Sequence, residues 1–431
     1  MIKISLCIPT YNRKELFIRL IDQLYEKIRD SSYARNIEIC ISDNGSDYDI
    51  TKIIDGYRDA NKNITTKFHR YSQNTGIMNN IKKSVSIAEG DFCLILGDDD
   101  MLVKDVSIDY ILEILYKTSA DIITFPFYSY DGERNNLVYP SKETFKSRLF
   151  NLALDIDYDE WFNNILDKGG NSSGLFIFIS NVIFKRSNWL IHSAKCDWNS
   201  NNVYHQSFIH LKTLLGGSVF QYLDIPLIIR NDTFNSAICE RETIYCFNLL
   251  TGMNELIRYF FKGVLAEKLL VQYMYLSAYC SVLEAKDISE SNKKYLRDLC
   301  KDIKHMHVIG KIYLPTHEFS KMEDKNIIVF GSGFIGNKII NKIIKHGYNI
   351  EFCVDNDVMK QGTFIGNVNI ISIEKSLNIP NSIYVIAVGE KYVVDIYNQL
   401  KDEGVSDELI FYCSDKDFYN VDNQRENVIE F

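Results

Sequence analysis

The stretch Phe92-Cys93-Leu94-Ile95-Leu96-Gly97-Asp98-Asp99-Asp100-Met101-Leu102 decides how the N-terminal half is read. It is a short apolar run, a glycine, three consecutive carboxylates, then an apolar step into a predicted helix. A buried strand that ends this way delivers acidic groups to the carboxyl edge of a sheet, where open α/β proteins bind ligands. Clustered carboxylate oxygens suit Mg²⁺ or Mn²⁺, and such ions bridge to phosphates. The competing reading is a charged turn that caps the next helix, because Asp is common at helix starts. The stretch alone does not choose between the two.

The chain upstream repeats the pattern. Lys3 to Ile8 is a β-branched, apolar run closed by Pro9-Thr10, and Asn12 is predicted to cap a helix with Glu15 at the capping-box position. Leu16, Leu20, Leu24 and Ile28 then form one apolar stripe. Ile37 to Ile41 is a second strand, ending in Ser42-Asp43-Asn44-Gly45-Ser46. Ile64 to His69 is a third, and Asn74-Thr75-Gly76 opens another helix. Strands alternating with helices predict a parallel sheet covered on both faces. The polar loops then share one edge and converge on one crevice.

The totals set bounds. With 431 residues there is room for two or three domains. A net charge of −9 argues against nucleic acid as a partner, which would need a basic face. It leaves nucleotides open, since a metal ion can meet their charge. The ten cysteines show no CxxC spacing, which disfavours zinc and dithiol redox sites. No apolar run reaches the ~18 residues of a membrane span. Met1 leads directly into a strand without a cleavage site, so a cytoplasmic protein is expected, with the inner face of the cell membrane as a further location.

Four landmarks in this order are Ile8-Pro9-Thr10-Tyr11-Asn12, Ser42-Asp43-Asn44-Gly45-Ser46, Asn74-Thr75-Gly76 and Asp98-Asp99-Asp100. Together they resemble the sugar-nucleotide-binding half of family 2 glycosyltransferases, of the A-type fold, over roughly the first 105 residues. The Gly-Asp-Asp-Asp form followed by Met-Leu is similar to abequosyltransferase-like enzymes of bacterial surface-polysaccharide assembly. The resemblance implies that Pro9, Thr10 and Tyr11 line the base and ribose pocket, and that Asp43 accepts hydrogen bonds from the base. It also implies that Asn74 to Gly76 approach the phosphates, that Asp98 lies near the ribose, and that Asp100 holds Mn²⁺ or Mg²⁺. Asp99 fits either support of that metal or a donor-sugar contact. The implied reaction passes a sugar from a nucleoside-diphosphate donor to a glycan or lipid-linked acceptor, with inversion. A divalent ion on a carboxylate neutralises the leaving diphosphate in such a reaction.

The acceptor half carries fewer signals. Gly169 to Gly174 is rich in glycine and serine, and Leu175 to Phe184 resembles the strand and turn that line the acceptor side, which makes Ser180 a candidate. Family members usually place a Glu-Asp pair, the source of the base, at a helix start about a hundred residues after the metal motif. Here His205-Gln206 stands at that place, so His205 and the upstream Asp197 are the two candidates. Asp121 to Tyr128 and Ser218 to Arg230 are each predicted as one strand.

From about Thr243 to Leu314 the pattern is helical and rich in aromatic residues. Interdomain or homo-oligomer packing is the first reading, and peripheral membrane contact the second. Then strand Asn326 to Phe330, Gly331-Ser332-Gly333-Phe334-Ile335-Gly336, a helix, a strand and Asp355 follow in order. That is the dinucleotide-binding fingerprint, with Asp355 lying 19 residues beyond Gly336. It resembles small Rossmann-like modules attached to sugar-transferring enzymes, and a nucleotide at Gly331, Gly333, Gly336 and Asp355 is the corresponding expectation. An empty fold that keeps the loop for packing is the alternative. The expected organisation is a catalytic domain over 1–240, a helical connection over 241–320 and the Rossmann-like module over 321–431. Competing functions are a sugar-nucleotide-binding protein without transferase activity, and a nucleotidyltransferase. The latter is disfavoured because no basic glycine loop follows the first strand. An oxidoreductase built on the tail lacks a substrate domain.

Overall fold

The computed structural model describes residues 3–131, 136–138, 148–151, 176, 178–194, 204–223, 225–231, 243–263, 266–267, 269–270, 276–286 and 288–413. The chain separates into two compact units, Met1–Ala237 and Ile238–Phe431.

In the first unit four strands run parallel: β1 (Ile4–Thr10), β2 (Ile37–Asp43), β3 (Thr65–Arg70) and β4 (Phe92–Ile95). Every residue of β1, β2 and β4 is buried, as expected of parallel strands covered on both faces. β3, at the sheet edge, is half exposed and carries Lys67, His69 and Arg70. The connections are α1 (Lys14–Arg29), α2 (Ile50–Ala60) and α3 (Ile77–Ser86). The apolar face of α1, with Leu20, Ile21, Leu24 and Ile28, packs into one core with Leu6, Ile8, Ile39 and Ile41. Pro9 sits where β1 has β2 on one side only, since β4 pairs with β1 no further than Cys7. A proline there breaks no ladder on that side.

Downstream lie β5 (Met101–Leu102), α4 (Ile108–Lys117), β6 (Ile122–Thr124), β7 (Phe127–Asp131), β8 (Asn136–Val138), β9 (Arg148–Asn151), β10 (Val182–Lys185), α5 (Arg186–Ser193), α6 (His205–Leu215), β11 (Val219–Tyr222) and β12 (Ile228–Asn231). The main sheet has the order β3-β2-β1-β4-β10-β6-β11-β9, with β10 antiparallel to both neighbours. A second sheet has the order β5-β12-β7-β8. The apolar step Met101-Leu102 ahead of α4 is a short strand paired with β12. The structure corrects two expectations here. The predicted strands over 121–128 and 218–230 are each split in two, one piece in each sheet. Phe125 between β6 and β7, and Leu223 and Leu227 between β11 and β12, are buried like the strands they separate, and an unbroken hydrophobic pattern hides such a break.

The second unit is helical over the described parts of 243–312, with helices Thr243–Phe260, Leu276–Glu284, Glu290–Leu299 and Lys304–Ile312. A six-stranded sheet follows, made of β13 (Asn326–Phe330), β14 (Ile350–Val354), β15 (Phe364–Ile365), β16 (Val368–Ile371), β17 (Ser382–Ile386) and β18 (Ile410–Tyr412). Its order is β15-β16-β14-β13-β17-β18, parallel except for β15. Counting the parallel strands alone, this is the 3-2-1-4-5 order of doubly wound sheets. No described helix is long and apolar enough to cross a membrane.

Candidate active site

The loops after β1, β2, β3 and β4 meet at the carboxyl edge of the first sheet, and side chains tie them together. Asn12 does not cap α1, whose N-cap is Arg13 without a side-chain bond. Asn12 lies at φ 52°, a left-handed conformation that Asn tolerates. From there its amide donates to Asp47 Oδ2 at 2.9 Å, its Oδ1 accepts from Asp47 N at 2.8 Å, and its backbone N–H donates to Ser46 Oγ at 2.9 Å. The first loop is thereby fastened to the second.

Asn44 fastens the second loop to the third. Its Nδ2 donates to Asn74 Oδ1 at 2.8 Å, and its Oδ1 accepts from Thr75 N and Oγ1, both at 2.9 Å. Asn74 Oδ1 also accepts from Gly76 N, and Gly76 is the N-cap of α3. Thr10 fastens the first loop to the fourth: its Oγ1 donates to Asp98 Oδ2 at 2.7 Å. Pro9, Thr10, Asp43, Asn74, Gly76 and the three aspartates therefore share one crevice edge, with Tyr11 exposed at its rim.

Asp43 is fully buried and engaged by protein donors on both oxygens. Ser46 Oγ donates to Oδ1 at 2.5 Å, Ser46 N is 3.2 Å from each oxygen, and Arg70 Nε is 3.1 Å from Oδ2. Arg70, half exposed at the end of β3, is a crevice residue that the sequence reading missed.

The aspartate turn is the electrostatic centre. Arg13 Nη1 lies 3.0 Å from Asp98 Oδ1 and 2.9 Å from Asp99 Oδ2. Ser180 is completely buried; it donates to Asp100 Oδ2 at 2.5 Å and accepts from Gly97 N at 2.9 Å. Its hydroxyl thus braces the carboxylate instead of facing an acceptor. Asn231 N, at the end of β12, donates to Asp100 Oδ1 at 3.3 Å. Arg230 stacks on Phe127 and Phe178, with its guanidinium carbon 4.9 and 5.6 Å from the ring centroids. The other side of the turn is gripped by α1. Arg19 Nη2 donates to Asp99 O at 3.3 Å, Gln23 bonds both the N–H and the carbonyl of Leu102, and Lys27 donates to the carbonyls of Lys104 and Val106.

Burial pushes Asp98 up to about 6 against the pull of Arg13, with Asp99 adding to the rise. Burial and the neighbouring Asp99 push Asp100 well above the ordinary carboxylate range, despite Ser180, Asn231 N and Arg230. Negative charge here is under-compensated, which is the condition a cation relieves. The donors are hard oxygens, which suit Mg²⁺ or Mn²⁺. Among the described residues no group of three or more His, Cys, Asp or Glu forms a ready-made metal cage. Mg²⁺ commonly binds through one or two carboxylates plus substrate phosphates, so these residues fit a divalent cation that arrives with a diphosphate.

His205 opens α6, as the sequence reading places a helix start there, and it is buried. Burial, with Lys82 nearby, pushes its imidazole down to about 4, so it is neutral at pH 7. His210 is buried among Phe176, Phe184 and Trp189. Asp197 and the Gly169–Gly174 stretch lie outside the described residues.

In the second unit Gly331 has φ +118°, and a Cβ on it would lie 2.6 Å from Ala387 O. A Cβ on Gly336 would lie 1.9 Å from Gly331 O, while nothing lies within 4 Å of one on Gly333. Asp355, the acid of the fingerprint, is bonded to its own loop. It accepts from Ser332 Oγ, from Ser332 N at 3.0 Å, from Asp357 N at 2.9 Å and from Lys360 Nζ at 3.2 Å. Partial burial raises its carboxyl, and these bonds more than offset that, leaving it below the ordinary range.

Residues 5–183 match the family model described as glycosyl transferase family 2. The abequosyltransferase RfbV of Salmonella typhimurium is 30% identical over 240 residues, which span 54% of this chain and 68% of that one. Glycosyltransferase GlyG of Streptococcus pneumoniae is 24% identical over 137 residues, 32% of this chain and 42% of that protein's length. Among solved structures, S. aureus TarS 1-349 in complex with UDP-GlcNAc aligns with a TM-score of 0.48 at 14% identity, over 74% of this chain and 85% of that one. Mannosyltransferase PcManGT from Pyrobaculum calidifontis, in complex with GDP-Man and Mn²⁺, aligns with a TM-score of 0.43 at 12% identity, over 70% and 75%.

Proposed function

The chain belongs to glycosyl transferase family 2, and from that premise we propose that it moves a sugar from a nucleoside-diphosphate donor to a glycan or lipid-linked glycan acceptor, with a divalent cation and with inversion. The relative named as an abequosyltransferase supports surface-polysaccharide synthesis as the setting and a deoxyhexose or hexose as the transferred sugar. The observation that carries the reading is the tying of four loops around Thr10, Arg13 and the aspartate turn, with Asp100 buried and its charge under-compensated.

In this reading Tyr11 and the Asp43–Arg70 pair face the base, and Asn74 to Gly76 approach the phosphates from the N-terminus of α3. Asp98 orients the ribose through its place beside Thr10, and Asp99 meets the donor sugar. Asp100 holds the cation, which when bound supplies positive charge to the departing diphosphate. The acceptor hydroxyl attacks the anomeric carbon, the bond from that carbon to the diphosphate oxygen breaks, and the hydroxyl proton passes to the base. His205 is the favoured base, with Asp197 the other candidate. A neutral imidazole is ready to accept a proton, although burial makes it a weak acceptor.

The test is a screen of sugar nucleotides for Mn²⁺-dependent binding and slow hydrolysis, with Asp100→Ala alongside. Metal-dependent binding that Asp100→Ala abolishes is expected. A wild-type protein that binds no sugar nucleotide in any metal would sink the reading. With a donor in hand, His205→Ala is expected to bind it normally and transfer nothing; full transfer would remove His205 and leave Asp197.

A further inference from the structure

Tyr11, Asn12 and Arg13 are consecutive, yet each serves a different part of the crevice. Tyr11 stands exposed at the rim, Arg13 reaches back to Asp98 and Asp99, and Asn12 between them grips the second loop. The chain bends there, and Asn12 carries the bend at φ 52°. Left-handed backbone is costly for a residue with a Cβ and persists where its surroundings hold it. Here a two-way pair holds it: Asn12 Nδ2 donates to Asp47 Oδ2 at 2.9 Å, and Asn12 Oδ1 accepts from Asp47 N at 2.8 Å. The Asn12 N–H adds a bond to Ser46 Oγ, which passes the link on to Asp43, itself held from the other side by Arg70. Asn12 and Asp47 are both exposed. Hydrogen bonds between exposed groups add little to the stability of a fold, because water replaces them at nearly equal energy. What the pair fixes is local: the direction of the chain between two crevice residues.

We propose that the Asn12–Asp47 pair is a clasp that sets Tyr11 against the Asp43–Arg70 pair for the base of the donor nucleotide, with Asp47 as a positioning residue. It rests on the sugar-nucleotide reading above and adds to it a residue that works through its neighbour and not by touching the donor. With the clasp closed, the free protein already holds its first and second loops in register, so binding does not have to order them. With the clasp open, Asn12 leaves the left-handed region for the backbone conformations that cost less, and Tyr11 swings away from Asp43. Arg13 keeps its own anchors on two acids, and the aspartate turn keeps Ser180 and α1. The loss therefore falls on the hold of the base, and the clasp sets the affinity for the nucleotide.

The experiment measures binding of UDP, GDP and CDP to the purified full chain by isothermal titration calorimetry with Mn²⁺ present, together with the unfolding midpoint of each variant. Asp47→Ala removes the acceptor of the Asn12 amide, and it is expected to weaken the nucleotide that the wild type binds most tightly by about fivefold. Asn12→Gly keeps the left-handed backbone but loses the side chain, and about tenfold is expected. The double variant should be no weaker than Asn12→Gly alone, because the two changes break one link. Asp47→Asn keeps an acceptor oxygen and returns toward wild-type affinity. Unfolding midpoints stay within about 3 °C of wild type. Wild-type affinity in both single variants, or losses that simply multiply in the double variant, overturns the inference. So does a loss that follows a fall in the unfolding midpoint and is not rescued by Asp47→Asn, since the pair would then serve stability alone. A wild type that binds none of the three nucleotides instead overturns the sugar-nucleotide reading, and this inference with it.

Discussion

Two sheets in this chain end in a loop beside an acid, and the two acids are treated oppositely. At the edge of the first sheet, Asp98 and Asp100 are buried, and their proton affinity is driven up. At the edge of the second, Asp355 takes three hydrogen bonds and an ammonium from residues within its own neighbourhood, and its proton affinity falls. The first arrangement keeps an electrostatic debt that a ligand can settle. The second is already satisfied, and packing accounts for two of its glycines: a Cβ on Gly331 would meet Ala387 O, and one on Gly336 the carbonyl of Gly331. A sequence fingerprint reports that a backbone can make a close approach. Whether the acid next to it is available depends on who else is bonded to it.

The sharpest way to break this contrast is to neutralise one acid in each loop. Asp100→Asn is expected to cut transfer by roughly a thousandfold, the order of a lost electrostatic anchor, while Asp355→Asn leaves transfer within about twofold. Steady-state rates with a saturating donor decide it, and equal losses would erase the distinction. Next in size is Gly336→Ala, whose methyl meets backbone and not a yielding side chain. It should destabilise the second unit by about 3 kcal/mol, read in urea melts. A neutral outcome would mean that the glycine is there for a ligand.

Ser180→Ala is smaller. It strips a donor from Asp100 and an acceptor from Gly97 N, so about 1–3 kcal/mol of stability should go, with Mn²⁺ affinity in the presence of nucleotide falling as the carboxylate loses its brace. The smallest effect is in pH. Asp98 titrates near 6 in the fold and near 3.8 when unfolded, so between those values the folded state holds a proton that the unfolded chain has released. Lowering the pH from 7 to 5 therefore adds stability from this group. His205 and His210, pushed down to about 4 and about 3, act in the opposite sense below pH 6.5. The difference between wild type and Asp98→Asn isolates the carboxylate: melts in chelator should show wild type gaining on the variant by on the order of 1 kcal/mol from pH 7 to pH 5.

The parallel half of the first unit was legible because buried strands read as unbroken apolar runs that stop at Pro, Asn, Asp or Gly. The convergence of Thr10, Asp43 and Asp98 followed from that topology, and Asn74 joined them through the resemblance. Asn12 misled because a polar residue just before a helix signals a cap, and nothing local reveals that its partners are Ser46 and Asp47. Ser180, Arg13 and Asn231 act on the aspartates from 80 or more residues away in sequence, and pairings of that range leave no periodic trace. Arg19, Gln23 and Lys27 did leave one, a four-residue polar spacing along α1 beside its apolar stripe.

That polar row makes α1 a ruler. Its three grips fall one turn apart on Asp99, Leu102 and the Lys104–Val106 segment, matching helical rise to the path of an irregular chain. One residue inserted between Arg19 and Lys27 would turn the far grips by about 100° and release them, with every aspartate still present. The length of an unremarkable surface helix is therefore as much a part of the site's specification as the carboxylates themselves.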